Sequence, residues 1–357
     1  MSSGNNMVTR SVSTVQSDRP ARIKDVAARA GVSLKTVTNV VHGRPYVRAD
    51  TRQRVLDAID ALDYRPSLAG RQLQSGRSNM LSLAVPRIDE PYLGSLAHAL
   101  IAAATPRGYT VLIDETGGRP DRERQAAEGY PGHGIDGVIF SPLALEPDRL
   151  AAVSNRTPLV LLGEQLPGTP ADYVAIDNEA SAREVVRHLL ATGRRRIAFL
   201  GGQPDRSSAV GALRLQGYRG ALAEAGIEPG PGWVVRADRY TRETGSALAQ
   251  RALAEVDDLD ALVCASDLLA IGAIRALQGL GVRVPDDVAV TGWDNIVDGR
   301  YSAPSLTTVA PDLAALAEQA LDALSRRIEG DRSDGRTFVV PHRLVVRASS
   351  ARGPVVS

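Results

Sequence analysis

Ile23-Lys24-Asp25-Val26-Ala27-Ala28-Arg29-Ala30-Gly31-Val32-Ser33-Leu34-Lys35-Thr36-Val37-Thr38-Asn39-Val40-Val41 decides how this chain folds at its basic end. Apolar residues recur at helical spacing twice within it. Ile23, Val26, Ala27 and Ala30 form one stripe, and Val37, Val40 and Val41 form another. Gly31-Val32-Ser33 separates the two: glycine tolerates a left-handed turn, Val32 can plug the angle between two helices, and Ser33 can cap the second. Two short helices across such a turn make a helix-turn-helix. The second leaves Leu34, Lys35, Thr38 and Asn39 facing outward. A third helix, about 50–63, buries Val55, Ala58, Ile59 and Leu62 and completes a small core. By itself this pattern suits any small helical bundle as well as one that reads DNA.

Charge sharpens the choice. Residues 19–77 hold 12 Lys+Arg against 5 Asp+Glu, and both lysines of the chain, Lys24 and Lys35, lie there. The rest carries 30 against 36, so a near-neutral total of +1 hides a basic module joined to an acidic body. Such a module meets polyanions, or else presents a solvated basic face. The 357 residues predict two or three domains, and 43% hydrophobic residues suffice for a sizeable core. No apolar run approaches the length of a membrane span. One cysteine, Cys264, excludes an intramolecular disulfide framework. Residues 1–20 are polar, with neither apolar periodicity nor a hydrophobic signal core. They read as a disordered arm, and the cytoplasm is the expected location.

The run 23–33, with Thr36-Val37, Val40-Val41, Thr51-Arg52-Gln53-Arg54-Val55 and Tyr64-Arg65-Pro66, resembles the lactose-repressor (LacI/GalR) family of bacterial transcription regulators. The resemblance implies a DNA-binding domain at 21–66 and a hinge helix at 67–77. Leu34, Lys35, Thr36, Thr38, Asn39 and His42 would meet operator DNA, joined by Arg71 and Leu73 from the hinge. Leu73 matches the family's minor-groove leucine, which wedges between base steps and bends the duplex. The hinge departs from the family at Ser67, where Asn is usual, and at Gly70, where Ala is usual. His42, just beyond the second helix, suits a phosphate contact or plain solvent.

From Met80 onward short apolar runs alternate with helical segments: 81–85, 109–113, 137–140, 159–162, 197–200, 262–265 and 288–291. That rhythm is βαβ and predicts parallel sheets covered by helices. The resemblance implies a two-lobed body like that of periplasmic sugar-binding proteins, spanning 78–357. Lobe one is then 78–177 plus 306–327, and lobe two 178–305 plus 336–350. Ligands of open α/β sheets sit beyond the carboxyl ends of the strands. Tyr92, Leu93, Ser141, Glu164, Ser266, Trp293 and Asp294 follow the strand runs, and Arg214 and Tyr240 stand at helix starts. Carboxylates and arginine can bond vicinal hydroxyls while aromatic faces cover the apolar face of a sugar ring. By the resemblance Arg214 and Asp294 correspond to the family's effector-binding arginine and aspartate. Gly163 replaces a position that is often acidic, with Glu164 beside it.

Enzyme readings find little support. Gly201-Gly202 lacks the later glycine of a dinucleotide fingerprint, and there is no phosphate-loop Gly-Lys-Ser/Thr. His42, His98, His133, His188 and His342 are scattered without zinc spacing, and no Gly-x-Ser-x-Gly elbow occurs. No cofactor or metal is expected. The expectation is a dimeric repressor of a palindromic operator, responsive to a small ligand, with sugar the leading class. A regulator governed by a protein corepressor and a bare sugar-binding module are the alternatives. Only ten residues follow Arg347, without a leucine heptad, so a dimer is expected.

Overall fold

The computed structural model describes residues 19, 21–41, 43–64, 77–145, 147–154, 157–163, 169–202 and 209–351. The proposed arm except Arg19, together with His42, Arg71, Leu73, Glu164 and all of the hinge but residue 77, lies outside them. The chain divides into two compact units, the second beginning at Asn79.

In the first unit, helices α1 (Ile23–Ala30), α2 (Leu34–Val41) and α3 (Ala49–Ala61) appear where periodicity puts them. Gly31 has φ 63° and ends α1 by returning its amide to the Ala27 and Ala28 carbonyls. Ser33 Oγ accepts the Thr36 amide at 3.2 Å and so caps α2. Val26, Ala27, Ala30, Val37, Val40, Val55 and Ala58 are buried together, with Val32, Ile59 and Leu62 packed around them.

The second unit holds two six-stranded sheets, each the centre of one lobe. Lobe one contains β1 (Met80–Val85), β2 (Thr110–Glu115), β3 (Gly137–Phe140), β4 (Leu159–Leu162) and β5 (Asp172–Ile176). Its helices are α4 (Pro91–Ala104), α5 (Pro120–Ala127) and α6 (Pro147–Ser154). Lobe two contains α7 (Asn178–Ala191), β6 (Ile197–Gly202), α8 (Ala209–Glu224), β7 (Val234–Arg236), α9 (Arg242–Glu255), β8 (Ala261–Cys264), α10 (Asp267–Gly279), β9 (Ala289–Trp293) and α11 (Val297–Tyr301). Four elements then divide between the lobes: β10 (Thr307–Pro311) and β12 (His342–Val345) belong to lobe two, and α12 (Leu313–Ile328) and β11 (Thr337–Val340) between them belong to lobe one. Strand order is β11-β5-β4-β3-β1-β2 in one sheet and β12-β10-β9-β8-β6-β7 in the other. Every pairing is parallel except β10 with β12. Strands such as β3 and β8 are buried along their whole length, because helices cover both faces.

The expected lobe boundaries need correction at two places. Residues 307–311, assigned by sequence to lobe one, form β10 and pair with β9 of lobe two, Thr307 opposite Thr291. Residues 337–340, assigned to lobe two, form β11 and pair with β5 of lobe one, Thr337 opposite Tyr173. The chain therefore crosses between lobes at 176–178, 311–313 and 340–342. The cause is pairing: β11 finds its neighbour 164 residues earlier and β10 lies beside the nearby β9, and nothing in their own residues names the sheet. Asp172, at the start of β5, is buried against Arg327 of α12, with Nε and Nη2 donating to its two carboxylate oxygens at 2.9 Å. That pair and the Arg336 amide, which donates to Asp172 at 2.9 Å, lead the chain from α12 back to the first sheet.

Candidate functional site

Arg214 is the centre of the site. It lies in α8 and is only 7% exposed. Its Nε donates to Asn178 Oδ1 at 2.9 Å, Nη1 donates to the Ala265 carbonyl at 2.5 Å, and the guanidinium lies 5.1 Å from the Trp293 ring centre. Asn178 opens α7 just after the first interlobe crossing, where Asp177 caps the helix by accepting the Ala180 amide at 2.8 Å. The guanidinium thus joins three places: the crossing, the end of β8 and the end of β9. A charge this deep needs such partners.

Asp294 follows β9 and is half-buried. Burial pushes its carboxyl up to about 6, with Arg214 opposing the shift. Two groups of lobe one sense its charge. Tyr92, near the start of α4, has its phenol raised by burial and then by Asp294. Half-buried Glu90, just before α4, is raised by burial and by Asp294 as well. Asp294 is thus in electrostatic reach of Tyr92 and Glu90 of lobe one and of Arg214 of lobe two, at residues that follow β1 and β9.

The other expected contacts divide. Ser141 is half-buried after β3, its amide donating to the Ala84 carbonyl at 3.0 Å. Tyr240 donates its hydroxyl to the Gly201 carbonyl at 2.8 Å, at the end of β6. Ser266 is spent on structure: its Oγ accepts the Leu269 amide at 3.3 Å as the cap of α10. Leu93 is 5% exposed in the lobe-one core. Trp293 has no exposed surface; its indole donates to Ser181 Oγ at 3.2 Å and its face supports Arg214. It is the floor beneath the arginine rather than a wall of the cleft. Asn178 and Glu90 escaped the sequence reading. Glu90 stands two residues before Tyr92, a position that a search beyond β1 could have taken in; Asn178 had no local signal.

In the headpiece, Leu34 is 51% exposed and Lys35 is exposed, while Thr36, Thr38 and Asn39 are half-buried along the same helix. Beside them stands Tyr46, 70% exposed, whose hydroxyl reaches Asn39 Oδ1 at 3.5 Å. An isolated aromatic residue in the polar stretch after α2 was the available signal. Together these side chains present donors, acceptors and apolar surface of the kinds that read base edges.

Among the described residues no group of three or more His, Cys, Asp or Glu could hold a metal ion, and no helix is long and apolar enough to cross a membrane. Cys264 is buried, and burial raises its thiol, which suits a core residue.

Comparison with known proteins bears on both units. The bacterial regulatory proteins of the lacI family match residues 22–67, and a periplasmic binding protein-like domain matches 186–350. The HTH-type transcriptional regulator DegA of Bacillus subtilis (strain 168) is 31% identical over 333 residues, covering 92% of this chain and 98% of that protein. Among solved structures, a complex of the transcriptional regulator CelR with cellobiose is 31% identical, covers 92% of this chain and 99% of its own, and superposes with a TM-score of 0.68. A lac repressor dimer bound to operator and the anti-inducer ONPF is 28% identical, covers 94% and 100%, and reaches 0.83. The chain belongs to the lacI family, whose members are DNA-binding transcriptional regulators and not enzymes.

Proposed function

We propose that this regulator is a cytoplasmic repressor that binds a palindromic operator as a homodimer and changes its operator affinity when a small, hydroxyl-rich ligand enters the interlobe cleft. The observation that carries it is that Asp294 is in electrostatic reach of Arg214 in its own lobe and of Tyr92 and Glu90 in the other. Relatives whose solved structures hold cellobiose or an anti-inducer with operator support the same reading. Leu34, Lys35, Thr36, Thr38, Asn39 and Tyr46 are the proposed base-reading and phosphate contacts; Arg214, Asp294, Tyr92, Ser141 and Tyr240 are the proposed effector contacts. The proposed division is a headpiece at 21–66, a hinge at 67–77 and a body at 78–357. A bare sugar-binding module is disfavoured by the match of residues 22–67 to a DNA-binding family.

The mechanism is linkage. A ligand that favours one arrangement of the lobes weakens or strengthens operator binding by the coupling free energy with which DNA alters ligand binding, typically about 1–3 kcal/mol. The test selects an operator from a random duplex library and then measures its affinity by fluorescence polarisation, with and without each of a panel of neutral mono- and disaccharides that includes cellobiose. A shift of about fivefold or more with one sugar supports the proposal. Unchanged operator affinity across the panel, with no heat of binding for any sugar, would overturn the sugar-responsive reading.

A further inference from the structure

Asp267 is fully buried at the first position of α10, and no effector role falls on it. Its Oδ2 accepts the Ile296 amide at 2.9 Å, and its Oδ1 lies 2.6 Å from the Thr308 hydroxyl. The same hydroxyl accepts the Asn295 amide at 3.2 Å and lies 3.3 Å from the Val309 carbonyl. These bonds enclose the loop that carries Asp294. Within that loop Asp294 and Asn295 have φ of 102° and 50°, the left-handed region that side chains rarely adopt. Non-glycine residues keep such conformations only where their surroundings over-determine them. Here the surroundings are Asp267, Thr308, the Val309 carbonyl, which accepts the Asp294 amide at 2.9 Å, and Arg347, which donates to Asn295 Oδ1 at 2.7 Å. Gly292, two residues earlier, admits the carboxylate: a Cβ there would collide with Asp267 Oδ1.

We propose that Asp267 is the positioning residue for Asp294, and that through Thr308 it ties the ligand loop to β10, the strand that crosses into lobe one at 311–313. This rests on the reading of Asp294 as an effector contact. Asp267 touches no ligand; it acts by holding a strained turn whose next carboxylate does. A ligand that pulls on Asp294 pulls on the same hydrogen-bonded turn that grips β10, so occupancy of the cleft bears directly on a crossing between lobes.

The protonation of the pair follows from its surroundings. Asp267 is held well above the ordinary carboxylate range, by burial first and by the charge of Asp294 second. Arg214 from α8 favours the charged form of Asp294, Glu90 from lobe one opposes Asp294 as a like charge, and Arg347 favours the charged form of Asp267. Tyr92 and Cys264 face the two carboxyls as neutral groups. Burial thus pushes both carboxyls toward the neutral form, and the charge of Asp294 adds to the rise at Asp267. Asp267 accepts on both oxygens, the Thr308 hydroxyl donating to Oδ1 at 2.6 Å and the Ile296 amide to Oδ2 at 2.9 Å. Asparagine keeps an oxygen to accept the Ile296 amide and can donate its amide nitrogen to the Thr308 oxygen, whose hydrogen then turns to the Val309 carbonyl 3.3 Å away.

Trp293, next to Asp294 in the chain, supplies a ligand-free readout. The chain has two tryptophans, so Trp233→Phe leaves Trp293 alone. Fluorescence of this full-length protein is titrated between about pH 4.5 and pH 8, the window around the raised Asp294 carboxyl. The expected inflection lies near 6 and disappears in Asp294→Asn. Asp267→Ala frees the loop to water and lowers the inflection by about one pH unit; Asp267→Asn restores it. Thr308→Val, close in shape, moves it in the same direction as Asp267→Ala. An inflection that stays near 6 in Thr308→Val and in Asp267→Ala overturns the proposal, as does failure of Asp267→Asn to restore it or absence of the Asp294 inflection from the parent. Should Asp267→Ala fail to fold, Thr308→Val decides alone. Calorimetry separates the underlying reading: a panel sugar that binds the parent is expected to bind Asp267→Ala about tenfold more weakly and Asp267→Asn almost normally. If no panel sugar binds the parent, the sugar reading fails while the titration still decides the positioning role.

Discussion

Replacing Arg214 by alanine is the most informative single perturbation of the cleft. The wild-type guanidinium makes two charged hydrogen bonds and covers Trp293. Bonds of this kind contribute about 1.5–3 kcal/mol each, and a desolvated cation–π contact contributes up to about 2 kcal/mol. These terms are not additive, and removing a buried cation also relieves its own desolvation. What remains is the loss of partners: Asn178 Oδ1 and the Ala265 carbonyl lose their donor, and Asp294 loses the cation that opposes its rise. The expected net cost is about 3 kcal/mol, in the range for breaking a buried charged contact. For a body of this size that lowers the melting temperature by roughly 6 °C. The cost depends on pH in a definite direction. Without Arg214 the folded-state pKa of Asp294 climbs further above its unfolded value, so the variant loses more stability as pH rises through that window. Thermal denaturation followed by circular dichroism at pH 5 and pH 8 therefore gives a larger deficit at pH 8. Nonspecific DNA binding by the headpiece stays near wild type, whereas any sugar response disappears. A deficit under about 1 kcal/mol at both pH values, or a larger one at pH 5, would refute this account of the guanidinium.

Asp294→Asn is expected to stabilise the protein while abolishing ligand response. The folded carboxyl sits near 6 and the unfolded one near 4, so wild-type stability falls as pH rises between those values. Allowing for partial exposure, the substitution gains about 1–2 kcal/mol at pH 7.5 and nothing below about pH 4, which urea denaturation at the two pH values checks. Gly217→Ala would drive a Cβ into the Glu179 carbonyl, where α7 and α8 touch, at a cost of about 1–3 kcal/mol measured by the same method. Because Asn178 lies beside that contact, sugar affinity should fall as well. Lys35→Ala and Asn39→Ala should each relax preference at one position of an operator half-site, by about 1–3 kcal/mol of discrimination; an unchanged selection from a duplex library would show that another face of α2 meets DNA.

Different parts of this protein were legible to different degrees, for reasons of distance along the chain. The helix-turn-helix could be read from residues 23–41 because its information is local: a 3.6-residue period, a glycine that accepts φ 63°, and a serine that caps three residues on. The buried parallel strands announced themselves as apolar runs, since helices cover both their faces. Strands β5, β7, β10, β11 and β12 did not. Polar residues break the apolar pattern, as Asp172 does in β5 and Thr307-Thr308 do in β10, or the runs are short, and membership in a sheet is settled by pairing with segments elsewhere, as in Thr337 with Tyr173. The site divides the same way. Arg214 and Asp294 were found through family resemblance, Asp294 at a position that the strand pattern also favoured. The work done by Trp293, Ser266, Asn178 and Asp267 was invisible, because each partner is defined only when the chain has folded: Arg214 meets Asn178 across 36 residues, and Thr308 meets Asp267 across 41. Sequence determined the local periods and caps and, through resemblance, the residue types at the cleft. Tertiary structure alone decided which side chains face the ligand and which are consumed in holding those that do, since hydrogen bonding and desolvation depend on neighbours that the chain order does not name.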